Sequence, residues 1–168
     1  SYKGVLYDKN MKTIKMFPGK LESYRIPASL ENADAIINYV VCEEEDYRRG
    51  SYVKGFNDVA GNLKDITVEK GNKYFSSKNG VLFNLNGTEI YLYPRARKGK
   101  YIIPSQVRKI NDNAFAGAHK LTRLVVPSGV KNAGINISGC KSLKKVVFKE
   151  GVKTVYIYGG AETDFYGF

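Results

Sequence analysis

The chain has 168 residues, enough for one domain with a real core, and its apolar (43%) and charged (26%) fractions are those of an ordinary globular protein. Its net charge of +11 is lopsided: residues 95–153 hold fourteen Lys/Arg against Asp112 and Glu150, a net of +12, while the remainder nets −1. No apolar run approaches the roughly 20 residues that span a bilayer, and two cysteines with a single histidine, His119, do not make a structural zinc site.

In chain order, the first apolar alternation runs through Gly4-Val-Leu-Tyr-Asp-Lys-Asn10 and Ile14-Lys-Met-Phe-Pro18. It predicts strands at 4–7 and 13–18. The chain has no initiator Met and opens mid-pattern at Ser1, which reads as a mature or trimmed fragment. Tyr24-Arg-Ile-Pro27 leads into an apolar pair, Leu30 and Ala33. Residues 34–57 then interrupt the pattern as an insertion. They contain a strand-sized apolar run at 35–41 and opposed charge blocks at Glu43-Glu-Glu-Asp-Tyr-Arg-Arg49. Those blocks suit a solvated turn or a binding loop, and their spacing is not that of a calcium-binding EF-hand.

Further strands are expected at 63–68, 80–84, 89–93, 101–103, 121–126, 143–148 and 154–158, with little helix. Asn86-Gly87 is a strong hairpin signal between two of them. Arg95-Ala-Arg-Lys-Gly-Lys100 is a basic connection. Residues 155–168 are rich in aromatics and glycine, and Tyr156 and Tyr158 share one face of their strand. This stretch fits either a solenoid cap or a surface for sugars and proteins.

The chain repeats itself. Leu121-Thr-Arg-Leu-Val-Val126, Leu143-Lys-Lys-Val-Val-Phe148 and Leu63-Lys-Asp-Ile-Thr-Val68 match. Each follows a small-residue turn: Ala116-Gly117-Ala118, Ser138-Gly139-Cys140 and Ala60-Gly61-Asn62, with Asn62 read into the Cys140 position. Each match is followed or preceded by apolar pairs three apart: Val107/Ile110, Val130/Ala133 and Val152/Val155. Phe115 and Ile137 stand six residues before the leading leucines. A second duplication matches Gly4–Asn10 to Gly80–Asn86, Ile14–Pro18 to Ile90–Pro94, and Tyr24–Pro27 to Tyr101–Pro104. A single unit cannot bury its inward residues (Ile66 and Val68, Leu124 and Val126, Val146 and Phe148), whereas stacked units can. Their strands then pair in parallel. Asn111-Asp-Asn113 reads as the cap of one helical turn.

The order and spacing of these motifs resemble the BspA-like leucine-rich repeats of bacterial surface proteins. The match is closest at Gly80–Pro94, Ile103-Pro104, Val107, Ile110, Ala114-Phe115, Gly117, Leu121 and Leu124–Pro127, and it covers about residues 1–30 and 58–155. Ala118 and His119 depart from it, standing near its usual cysteine. The resemblance implies a strand-dominated α/β fold: a right-handed leucine-rich-repeat solenoid with a parallel sheet and β-hairpin insertions. It implies one domain over 1–168, part of a longer extracellular or cell-surface bacterial protein. It further implies a non-enzymatic adhesion or binding role through the repeat sheet face; separately, a monomeric chain without a cofactor is expected.

On such a face Arg123, Val125, Lys145, Val147, Asp65 and Thr67 point outward and form the expected contact set. Arg123 and Lys145 would sit one strand apart, about 5 Å, where like charges repel. Arg95, Arg97, Lys98 and Lys100 form an accessory basic loop. The expected partner is a protein or glycan, and the charge favours an anionic one. No nucleic-acid motif accompanies the basic residues. A polyanion binder acting through charge alone and an inert spacer are the rival readings. His119 lies in a repeat turn with no nucleophile motif, and Cys42 and Cys140 read as two buried free thiols, with a disulfide between them as the alternative.

Overall fold

A computed structural model describes residues 4–37, 60–159 and 163–167. These form a strand-dominated β-solenoid. The strands are β1 (Leu6–Tyr7), β2 (Ile14–Met16), β3 (Ser23–Ile26), β4 (Asp65–Val68), β5 (Phe75–Lys78), β6 (Val81–Asn84) and β7 (Glu89–Leu92). They continue with β8 (Gly99–Ile102), β9 (Lys109–Ile110), β10 (Leu121–Val126), β11 (Asn132–Asn136), β12 (Lys145–Phe148), β13 (Thr154–Tyr158) and β14 (Asp164–Tyr166). The one helix among the described residues is α1 (Asp34–Ile37). It occupies the start of the apolar run at 35–41; the rest of the insertion, with Cys42 and the charge blocks at 43–49, lies outside the described residues.

Two parallel sheets build the C-terminal coil: β14-β12-β10-β8 on one wall and β11-β13 on another. One turn geometry recurs at each corner. The N–H groups of Leu30, Val107, Val130 and Val152 donate to the carbonyls of Pro27, Pro104, Pro127 and Lys149 at 3.0–3.3 Å. A second recurs before each long strand, where Leu63, Leu121 and Leu143 donate to Ala60, Ala118 and Cys140 at 2.9–3.1 Å. Ala60, rather than Asn62, therefore fills the Cys140 position. All three residues are buried, while Asn62 is exposed and donates to the Gly19 carbonyl at 3.1 Å. Phe115 and Ile137 are buried, as are Leu124, Val126, Val146 and Phe148. Each such side chain removed from water contributes about 1.5–3 kcal/mol.

The hairpin duplication is equally regular, at an offset of 76 residues. Asp8 Oδ1 accepts the N–H groups of Lys12 and Thr13, and Asn84 Oδ1 accepts those of Thr88 and Glu89. Met11 and Gly87 close the two turns with positive φ, 56° and 68°. The second hairpin gains two strands to become the sheet β5-β6-β7-β9. Its strand β6 is buried on both faces. Leu82 faces a core made with Val5, Ile14, Ile26 and Ile66, while Val81 and Phe83 face a core made with Phe115, Leu124 and Phe148.

Five strands have no counterpart in the sequence expectation: β3, β5, β9, β11 and β14. Asn132-Ala-Gly-Ile-Asn136 shows why. Asn, Ala and Gly are poor strand formers, and only the five-rung pairing with β13 makes this segment extended. Asn111-Asp-Asn113 caps a run of turns and not a helix: Asn111 Oδ1 accepts the Asn113 N–H at 3.1 Å.

Asn72 occupies the position of Leu30, Val107, Val130 and Val152 at its own corner, its N–H donating to the Glu69 carbonyl at 3.2 Å, and is 7% exposed. Its Nδ2 donates to the Pro27 and Leu30 carbonyls at 2.9 Å, and its Oδ1 accepts the Tyr74 and Phe75 N–H groups at 2.8 Å. It ties the first coil to β5. Asn72→Ala orphans these buried groups and is expected to cost about 2–4 kcal/mol in urea unfolding. Met11→Gly is expected to act the other way, raising stability by up to about 1 kcal/mol by relieving the left-handed strain that Gly87 avoids. An unchanged or lowered midpoint for Met11→Gly would refute that account.

Candidate functional site: the outer face of the long parallel sheet

Register turns this face into rows that run across the strands. Lys100, Arg123, Lys145 and Asp164 are successive Cα partners on β8, β10, β12 and β14. Two residues on, Ile102, Val125, Val147 and Tyr166 form a second row. Rungs lie about 4.8 Å apart and the rows about 6.6 Å apart.

The basic row is not neutralised. Among the described residues, ion pairs join Lys12–Glu31, Arg25–Glu69, Lys64–Glu22, Arg97–Asp65 and Lys109–Glu89 at 2.6–3.7 Å, and none of them includes Lys100, Arg123 or Lys145. Arg123 Nε is shut off from solvent and has no hydrogen-bond partner. Lys145 Nζ sits 3.6 Å above the Tyr166 ring, a cation–π contact at the acidic end of the row. The adjacent row is apolar, with Ile102 53% and Tyr166 44% exposed at its ends.

Several expected contacts fall elsewhere. Val125 points to this face but is 7% exposed, covered within the Ile102–Val125–Val147 row. Asp65 and Thr67 belong to another sheet, where β4 pairs with β3. The hairpin displaces them: Gly80 O accepts the Ile66 N–H at 2.9 Å, and Ser77 Oγ accepts the Val68 N–H at 3.1 Å, so β5 and β6 occupy the edge that β8 would need. Asp65 instead faces Arg97 at 3.7 Å.

The basic loop divides in the same way. Arg95 is 1% exposed, carried inside by a buried stretch whose Ala96 N–H donates to the Leu63 carbonyl. Lys98 is exposed just before β8, and Lys100 lies on β8 as the first member of the basic row. Lys100, Ile102 and Tyr166 were not legible as face residues. A signal existed for the first two: Pro104 and Pro127 end their strands at the same position, which aligns Lys100 with Arg123 and Ile102 with Val125.

His119 and Cys140 make their contacts with residues of the repeat turns. His119 Nδ1 lies 3.3 Å from the Gly117 carbonyl in its turn. Cys140 is a free thiol that donates to the Phe115 carbonyl at 3.1 Å, and burial pushes its pKa up to about 12. Among the described residues no cluster of His, Cys, Asp and Glu could hold a metal ion, and no helix is long and apolar enough to cross a membrane.

Burial also pushes the Tyr93 phenol up to about 12. Both groups are favoured protonated in the fold, so their contribution is complete below the ordinary values of 9.0 and 10.0 and is lost as pH rises towards 12. Stability is therefore expected to fall between about pH 9 and 12. In a Cys42→Ser background, Cys140 is expected to resist thiol reagents at pH 8 until urea unfolds the chain. Rapid native labelling would contradict the buried assignment.

No family model and no curated protein matches the chain. Solved structures that it resembles include a leucine-rich repeat protein from Eubacterium ventriosum, at 20% identity and TM-score 0.43, over 79% of this chain and 43% of that one. The pneumococcal vaccine antigen PcpA is similar at 17% identity and TM-score 0.41, over 84% and 46%. The chain spans less than half the length of either.

Proposed function

We propose that this chain is a non-enzymatic binding module of a secreted or cell-surface bacterial protein, and that the face of β8, β10 and β12 holds an anionic partner. One observation carries this reading: Lys100, Arg123 and Lys145 stack on successive rungs, and none of them forms an ion pair among the described residues. Stacked like charges destabilise a sheet, and an anion laid along the row removes that repulsion while accepting charge-assisted hydrogen bonds. The parallel apolar row supplies a second line of contact, which selects partners that offer more than charge. The order of the repeat motifs, which resembles that of bacterial surface proteins, supports the extracellular setting, and the domain reads as one unit of a longer chain.

A charge-only reading has its own support in a second basic row. The shared corner turn equates Val107, Val130 and Val152, so Arg108, Lys131 and Lys153 follow one another at that corner, and Lys153 N–H donates to the Lys131 carbonyl.

Binding of the purified chain to sulfated and neutral glycans, matrix proteins and DNA, at about 50 and 300 mM salt, separates the readings. Selective binding that survives 300 mM salt and weakens at least about tenfold in Arg123→Ala/Lys145→Ala is the expected outcome. Equal binding to every polyanion, lost with salt and insensitive to the double variant, would assign binding to charge alone. No binding in any condition would leave an inert spacer as the better account.

A further inference from the structure

The wall formed by β11 and β13 differs in chemistry from the basic face. Tyr156 and Tyr158 project from β13 and are 60% and 54% exposed. They stand about 6.6 Å apart along one side of the strand. Their rung partners on β11 are Gly134 and Asn136. Gly134 has no side chain to crowd the Tyr156 ring.

Beyond β11 stands the Asn111-Asp112-Asn113 turn. Asn136 Nδ2 donates to Asn113 Oδ1 at 3.0 Å, and a Cβ at Gly134 would come within 2.7 Å of Asp112 Oδ1. Lys109, Ile110, Asn111, Asp112 and Asn113 line a cleft at that edge. The wall thus places two open phenol rings beside a row of amides and one exposed carboxylate.

We propose that this wall is a second binding site, independent of the basic face, and that it takes a neutral polysaccharide. A sugar ring presents an apolar C–H face, which stacks on an open aromatic ring, and hydroxyls at its rim, which pair with planar amides and carboxylates. Both complements are present here. Asn111 and Asn113 use their Oδ1 atoms internally, accepting from Asn113 N–H and Asn136 Nδ2, which leaves their Nδ2 groups as the donors they can offer. The Asp112 carboxylate disfavours anionic sugars at this wall, and the ammonium of Lys109, which lines the same cleft, is held by Glu89 at 2.8 Å. Of the corner cations, Lys153 is three residues from Tyr156, about 10 Å along the strand.

Titration of the whole chain with maltohexaose, cellohexaose, mannohexaose and chitohexaose at about 50 and 500 mM salt tests this site. At least one hexasaccharide is expected to bind with an affinity that salt leaves unchanged. Tyr156→Ala and Tyr158→Ala should each weaken it about tenfold, and Tyr156→Phe should retain it. Arg123→Ala/Lys145→Ala should leave it intact. Both tyrosines are exposed, so their variants should keep the wild-type urea midpoint. Failure of all four probes at millimolar concentration, or binding that survives Tyr156→Ala/Tyr158→Ala, would overturn the proposal. Affinity that falls steeply with salt would also overturn it and reassign the wall to the Arg108–Lys131–Lys153 corner.

Discussion

The structure depends on one strand that has no solvent side. Val81, Leu82 and Phe83 of β6 are all essentially buried, with alternate residues committed to different cores. A strand of this kind reads as a continuous apolar run, and it must be covered on both faces. The N-terminal coil supplies one cover and the C-terminal coil the other. The hairpin is therefore a shared wall more than an insertion. It lets a chain of modest length close two cores with one sheet. It also explains the break in the long sheet, since the edge of β4 is taken by β5 and β6 before β8 can reach it.

Parallel stacking in register gives the surface its character. An outward residue at one repeat position meets its counterparts one rung away, so a preference at that position becomes a row. Lys100, Arg123 and Lys145 show the electrostatic consequence, and Ile102, Val125 and Val147 the apolar one. The charge excess of residues 95–153 is the sequence-level trace of such rows. In the N-terminal half, Glu22, Glu31 and Glu69 pair with Lys64, Lys12 and Arg25, and further on Glu89 pairs with Lys109.

The coil was legible in the sequence because its inward positions obey two strong rules: small residues in the turns and paired apolar residues in the strands. Phe115, Ile137, Leu124 and Val146 are where those rules place them. The short strands were not legible. Asn132–Asn136 and Lys109–Ile110 each carry a single strand-forming Ile among weak strand formers, and they extend through pairing partners twenty or more residues away. The face was legible in part. Arg123 and Lys145 fall on neighbouring rungs as expected, but exposure depends on what the neighbours cover, and sheet membership depends on which strand claims an edge first. Val125 and Asp65 illustrate the first and second of these in turn.

Alternation along each strand separates inward from outward positions, and in a solenoid that separation has an evolutionary reading. The Leu124–Val146 interior constrains nothing about Arg123 or Lys145 beyond their strand geometry, and the Ile135–Ile157 interior constrains nothing about Tyr156. A lineage can rewrite one wall, one substitution per coil, while the other wall and the interior stay fixed. Each new specificity begins as a single rung and gains strength as neighbouring coils acquire the same residue. Two walls with different chemistries are a natural product of that freedom, because neither has to change in step with the other.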